Sequence, residues 1–264
     1  MGRNGKRFAM YALFAFLLAA ASGCQMIDKL KARDRLNKGV SAYTGKDYDG
    51  AIQFFDEALA LDPGLTVAEV YLATTYRTKY VPGGVSAENN RYAEKAIEIY
   101  QDVLAKNSED VNTMASLARI YSDLEQYDKA KDWYRKRLEA DATNSEPLYG
   151  IGSTNYNLVS PKTGGPSGEK VKDLSPEERM DVERLVEEGI DALKKAMQIR
   201  SEYAEAAQYL NLLYREKAKL AAKDEKEQWV KEADVLARNS MEWEKKHKEE
   251  EAKKKKSMPG AKAE

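Results

Sequence analysis

The 264-residue chain carries 43 basic and 44 acidic side chains, so a net charge of −1 conceals a composition that is 33% charged. Signs this evenly mixed argue against nucleic acid as a partner, because counterion release needs a one-signed basic face. One cysteine and one histidine exclude internal disulfides, Cys-His or Ser-His-Asp catalysis, and His-rich metal sites. Tyrosine is over-used, at 16 against 5 Phe and 3 Trp. That suits thin two-layer packing, in which a ring is buried while its hydroxyl reaches water. Long stretches lack proline and β-branched alternation is sparse, so the chain reads as all-α.

The N-terminus has a positive region, Arg3, Lys6 and Arg7, followed by an apolar run from Phe8 to Ala21. That run is too short to span a hydrocarbon core of ~30 Å, and this is the build of a secretory signal. Small residues then lead to Cys24. The tetrapeptide Ala21-Ser22-Gly23-Cys24 resembles the lipobox of bacterial lipoproteins. The resemblance implies a signal peptide over 1–23, cleavage before Cys24, and a covalent lipid (palmitate among its chains) on that thiol. It implies no other cofactor. Residues 24–31 are then expected to be the lipidated N-terminus and a short tether. Gln25 lacks the aspartate that retains many such lipoproteins at the inner membrane, so the expected location is the outer membrane, facing the periplasm.

From residue 32 an internal repeat emerges. Leu72-Ala73-x-x-Tyr76 and Leu117-Ala118-x-x-Tyr121 open two units, and Gly39 holds the small position of an earlier one. Second halves follow as Ala51/Phe55/Ala58/Pro63, Ala96/Tyr100 and Ala130/Tyr134. Gly39 to Ala73 is 34 residues, and Ala118 to Gly152 is 34 again, the tetratricopeptide period. The intervals Ala73–Ala118 and Gly152–Asn211 are one period plus an insertion. On these residues, and on the run Ala51–Pro63, the chain resembles tetratricopeptide-repeat (TPR) proteins. The resemblance implies an all-α TPR solenoid of about five helix-turn-helix units over 32–240. Small residues at Gly39, Ala73, Ala118 and Gly152 are expected to admit close helix contact, and rings at Phe55, Tyr100 and Tyr134 to fill the space between units. Asn211 at the fifth small position departs from the pattern.

The insertions are expected near 81–90 and 158–174, both as turn-rich loops. Ser175-Pro176-Glu177-Glu178 then predicts a capped helix start. A long C-terminal helix is expected around Trp229, Ala233 and Leu236. Residues 241–264 read as its charged end and a disordered tail. Lys253 to Lys256 could meet an anionic polymer, but Glu249 to Glu251 weaken that field.

No phosphate loop and no Gly-x-Ser-x-Gly elbow is present. Lys162-Thr163-Gly164 and Ser167-x-x-Lys170 copy two motifs of penicillin-binding enzymes, but in reversed order and within one Gly/Pro stretch. The expectation is a chain that is not an enzyme. Helical repeats bind peptides or folded partners in a trough lined by their first helices. The register puts Tyr43, Thr74, Arg77, Arg119, Ser153, Tyr156, Asn157 and Arg215 there, with Tyr149 one turn earlier. Tyr and Arg are enriched at binding hot spots, and three arginines suggest an acidic or carboxylate-bearing ligand. Chaperone adaptors of this family grip a C-terminal carboxylate through Lys and Asn in the first unit. Here Leu36 and Val40 occupy that region, so the specificity does not carry over. The resemblance to repeat lipoproteins implies a membrane-anchored adaptor or scaffold for a protein or peptide partner in the cell envelope, in assembly, secretion or wall remodelling. The alternative is a small-ligand-binding or enzymatic envelope protein that uses the 158–174 insertion.

Overall fold

The computed structural model describes residues 25–165 and 170–257. The expectations placed on 1–24, on Ser167 and on 258–264 lie outside these residues. Among the described residues the secondary structure is helical throughout. Helix α1 covers 25–44, and α2 (Tyr48–Leu61), α3 (Thr66–Lys79), α4 (Ala87–Lys106) and α5 (Val111–Asp123) follow. Then come α6 (Tyr127–Ala140), α7 (Ser145–Thr163), α8 (Pro176–Ile199), α9 (Ala204–Leu220) and α10 (Lys223–Ser257). A single 3-10 turn, Lys170–Asp173, lies between α7 and α8. The chain divides into two compact units, one through Ser116 and one from Leu117. No helix among the described residues is long and apolar enough to cross a membrane.

Local chemistry sets the helix starts. Asp47 accepts from the Gly50 N–H at 3.0 Å, Ser86 from Asn89 at 3.1 Å and Asn144 from Glu146 at 3.0 Å. Each satisfies a donor that the first helical turn leaves unpaired. At α8 the expected capping box is complete. Ser175 Oγ accepts from the Glu178 N–H at 3.2 Å, and Glu178 Oε2 accepts from the Ser175 N–H at 2.9 Å. The α1–α2 and α5–α6 turns share one geometry. Lys46 (φ 64°) and Glu125 (φ 57°) take the left-handed conformation, and each N–H bonds to the carbonyl three residues back, on Tyr43 and Ser122. A side chain tolerates that region at a cost, and here the closed turn offsets it.

In the N-terminal unit, Gly39 and Phe55 behave as expected. A Cβ on Gly39 would overlap the Phe55 ring, so glycine is what lets α1 and α2 approach. Phe55 also stacks on Tyr71 of α3 (centroids 5.6 Å, 21°). The core there is Ala51, Phe55 and Leu72, with Leu36, Val40, Ile52 and Leu59 packed around it. In the C-terminal unit the same device recurs at Gly152, whose Cβ would overlap Leu193, and at Gly150, whose Cβ would overlap Tyr134. The departure at Asn211 is resolved from the other side. Gly189 of α8 supplies the space, its Cβ position lying 2.6 Å from Leu213 Cδ1, while Asn211 is buried and accepts from Arg215 Nε at 3.0 Å.

Three boundaries differ from expectation. The tether predicted over 24–31 is helical from residue 25, the first residue described. The first insertion is shorter than 81–90, because α4 begins at Ala87. There Asn89 clamps the loop, accepting from the Val81 N–H (2.7 Å) and donating to the Val81 and Gly84 carbonyls (both 2.9 Å). The second insertion does not start at 158. α7 continues to Thr163, with Pro161 inside its last turn and Gly164 (φ 88°) as its left-handed cap. Pro161 removes one helical hydrogen bond, and burial of Val159 and Thr163 (both 0% exposed) offsets that loss. At the far end the charged stretch from 241 belongs to α10. α10 stays regular to Ser257, braced by Lys246 Nζ on Glu202 at 2.7 Å.

Candidate functional site

The first helix of each pair is α1, α3, α5, α7 and α9. On α7, Tyr149 and Tyr156 stand two turns apart on one face. Tyr209 of α9 fits between them, its ring centroid 5.7 Å from Tyr149 and 5.8 Å from Tyr156, both edge-to-face. Tyr203 extends the row, 5.5 Å from Tyr149. Edge-to-face rings exploit the aromatic quadrupole and add stabilisation beyond area burial. Burial among its neighbours pushes the Tyr149 hydroxyl up to about 12, helped by Tyr209 and Glu205. Tyr203 is raised too, by burial and by Glu146, to which its hydroxyl donates at 3.0 Å. The Tyr149 and Tyr203 hydroxyls therefore keep their protons at physiological pH.

The nine residues expected to line the trough divide into two groups. Four of them, Tyr149, Ser153, Tyr156 and Asn157, lie half-buried on α7 around the Tyr209 contact, and Ser153 Oγ donates back to the Gly150 carbonyl at 3.1 Å. Arg119 is exposed and loosely paired with Asp123 at 3.4 Å. Of the remaining four, Tyr43, Thr74 and Arg215 are engaged by neighbouring side chains. Tyr43 OH bonds Thr78 Oγ1 at 3.2 Å, and Thr74 Oγ1 bonds Tyr100 OH at 3.0 Å. Arg77 is half-buried, and its Nε has no hydrogen-bond partner among the described residues. Arg215 holds Asn211 and Asp234, the latter at 2.6 Å. An acidic ligand at Arg215 would therefore have to displace Asp234. Register reasoning does not reach Tyr209 and Tyr203, because Tyr209 lies two residues before Asn211 and Tyr203 is the N-cap residue ahead of α9.

A second polar cluster also lay beyond sequence reasoning. Lys131 of α6 is buried, and its Nζ donates to Asn155 Oδ1 (2.9 Å) and to Glu188 Oε2 (3.0 Å). Arg135 donates to the other Glu188 oxygen at 2.7 Å, and Asn155 Nδ2 to Oε2 at 3.1 Å. Burial alone would raise the Glu188 carboxyl, but the three donors outweigh it and hold it below the usual range. Beside this network is a hollow of about 430 Å³ lined by Asp128, Arg135, Lys162, Asp181 and Arg184. Its Lys162 and Arg184 both bond Asp181. Lys162-Thr163-Gly164, the apparent catalytic motif, is a helix terminus: Thr163 is buried, with its hydroxyl on the Val159 carbonyl at 3.3 Å. No group of three or more metal-ligating side chains occurs among the described residues.

Helix pairs at a 34-residue spacing, with glycine-on-ring contacts and left-handed turns, define an all-α helical solenoid of tetratricopeptide repeats. Folds of this class are scaffolds for protein–protein contact. The tetratricopeptide-repeat family model matches residues 35–65 and 111–144, the pairs α1–α2 and α5–α6. Solved structures agree in fold. A crystal structure of MamA superposes with a TM-score of 0.56 at 18% identity, covering 80% of this chain and 96% of that one. MamA from Desulfovibrio magneticus RS-1, residues 41 to the end, gives 0.58 at 14% identity, with coverages of 82% and 96%. At these identities the likeness is one of fold alone. No curated protein sequence matches this chain.

Proposed function

We propose that this chain is a lipid-anchored scaffold of the bacterial cell envelope that holds a protein or peptide partner on the α7–α9 face. It acts without catalysis of its own. The observation that carries the reading is the Tyr149–Tyr209–Tyr156 row. It is a half-buried aromatic strip on α7 and α9, with half-buried Ser153 and Asn157 beside it on α7. Tyrosines supply large contact area at low conformational cost, and they recur at the centre of binding hot spots. Attachment rests on the Ala21-Ser22-Gly23-Cys24 signature, with the outer membrane, facing the periplasm, as the proposed location. Two or more acyl chains give durable attachment, at ~0.8 kcal/mol per buried methylene.

The test uses a photo-crosslinking residue at Tyr156 or Tyr209 in the native host, with Lys129 as control. Capture of one protein from the first two positions and not from Lys129 is expected. Equal capture from all three sites rejects the tyrosine face. Fractionation of Cys24→Ser checks the anchor: a variant retained in the membrane like the parent rejects it.

The ligand-pocket alternative rests on the hollow between α6, α7 and α8, which Leu158 and Lys162 of the predicted insertion help to line. Most of its charges are already neutralised by neighbouring side chains. A ligand there would have to break existing pairs, so this reading carries less weight.

A further inference from the structure

In an antiparallel pair, two helices of unequal length leave one end uncovered. α1 covers 25–44, whereas its partner α2 has 14 residues. At 1.5 Å per residue, α1 overshoots by roughly six residues, or ~9 Å. Burial shows where the overshoot ends. From 25 to 31 every residue is exposed except half-buried Asp28, and packing begins at Ala32, which is 0% exposed.

The projecting turns are not the polar surface that such an overhang would normally show. Met26 is 69% exposed, Ile27 53% and Leu30 60%. At 100° per residue these three share an arc about 100° wide. Lys29, Lys31 and Arg33 flank them, with Asp28 as the one acidic residue of the stretch, loosely paired to Lys31 at 3.9 Å. Three apolar side chains are far too small an area for a stable protein interface, which needs about 1,000 Å². An apolar arc edged by cations does fit the boundary between headgroups and acyl chains. The chain ahead of it ends in the apolar run and Cys24.

We infer that the first two turns of α1 are a membrane-surface contact, with Met26, Ile27 and Leu30 inserted at the interface of an anionic bilayer and Lys29 and Lys31 on its phosphates. This rests on the anchoring reading above and deepens it. Residue 25, next to Cys24 in the chain, is already helical. A lipid on the adjoining thiol would bring Leu30, ~7.5 Å along the axis from residue 25, to the headgroup region. The anchor would then hold the N-terminal unit at a set height and tilt instead of on a loose leash.

The experiment uses the full chain, purified from its host membrane and reconstituted into vesicles of phosphatidylethanolamine and phosphatidylglycerol. Leu30→Cys and Asn37→Cys, two turns apart on one face, are each labelled with an environment-sensitive fluorophore. Nitroxide-bearing lipids are the quencher. The parent chain is the blank and should take no label, since its only thiol is blocked. Expected is a blue-shifted, strongly quenched probe at 30 and a water-like, several-fold less quenched probe at 37. Vesicles of uncharged phosphatidylcholine should weaken quenching at 30. A lipid on the Cys24 peptide by mass spectrometry, with equal, water-like probes at 30 and 37, overturns this inference and leaves the anchor standing. A parent chain that takes the label, with a free Cys24 by mass, overturns the anchoring reading and this inference with it.

Discussion

Tyr134 of α6 lies directly on Gly150 of α7, so that even a methyl group at that glycine would overlap the ring at Cζ. Ring and absent side chain together determine how closely these helices approach. Gly150→Ala should therefore behave as an overpacking substitution and cost about 1–3 kcal/mol, in a helix where alanine is otherwise the better former. Thermal melting checks the sign. A Gly150→Ala chain that melts higher than the parent would mean that Tyr134 moves aside freely.

The Lys131–Glu188 pair makes the second prediction. Removing the carboxylate leaves a buried ammonium with only Asn155 as partner. Glu188→Ala should then destabilise the C-terminal unit by about 3 kcal/mol, whereas Lys131→Met combined with Glu188→Leu should recover most of that loss. The Glu188 carboxyl is held below its usual range. Its contribution is therefore present above the unfolded carboxylate pKa and lost as pH falls through the lower folded value. Acid melts of parent and double variant should diverge less as that window is crossed. Parallel curves would remove the pair from the pH response.

Tyr149 acts at the opposite end of the pH scale. Its hydroxyl is raised to about 12 by burial, against ~10 for a free phenol. A raised folded pKa contributes stability that is complete below the unfolded value and disappears as pH climbs through the folded one. Alkaline unfolding between about 10 and about 12 should be delayed in Tyr149→Phe, which has no proton to lose there. Ultraviolet titration should show one late-ionising phenol fewer in that variant.

Replacing Val159 to Lys172 with a Gly-Ser linker tests the second insertion. Val159, Thr163 and Val171 are all buried, and Lys219 of α9, itself paired with the fully buried Glu216 at 2.9 Å, donates to the Gly165 carbonyl. Each buried valine contributes about 1.5–3 kcal/mol. The replacement should lower the melting temperature by several degrees and expose α9 to hydrogen exchange. An unchanged melt would mean that the stretch is only a connection.

The repeat, its period and the two interrupted units were legible in the residue order, because a helical repeat writes its contacts at constant spacing. Gly39 with Phe55, and the Ser175–Glu178 cap, are local patterns that need no knowledge of distant chain. What the order of residues could not state is how each polar side chain would be spent. Tyr43, Thr74 and Arg215 occupy inner-face positions in the register, yet their hydroxyls and guanidinium are taken by Thr78, Tyr100 and Asp234. Those partners lie 19 to 35 residues away, and nothing in the period marks them. The Tyr149–Tyr209–Tyr156 row and the Lys131–Asn155–Glu188 network likewise join residues from separate helices. Spacing along the chain determined which faces are apolar. Which rings and charges meet on those faces was decided only when the helices packed, since ring contact and desolvation depend on distances in space.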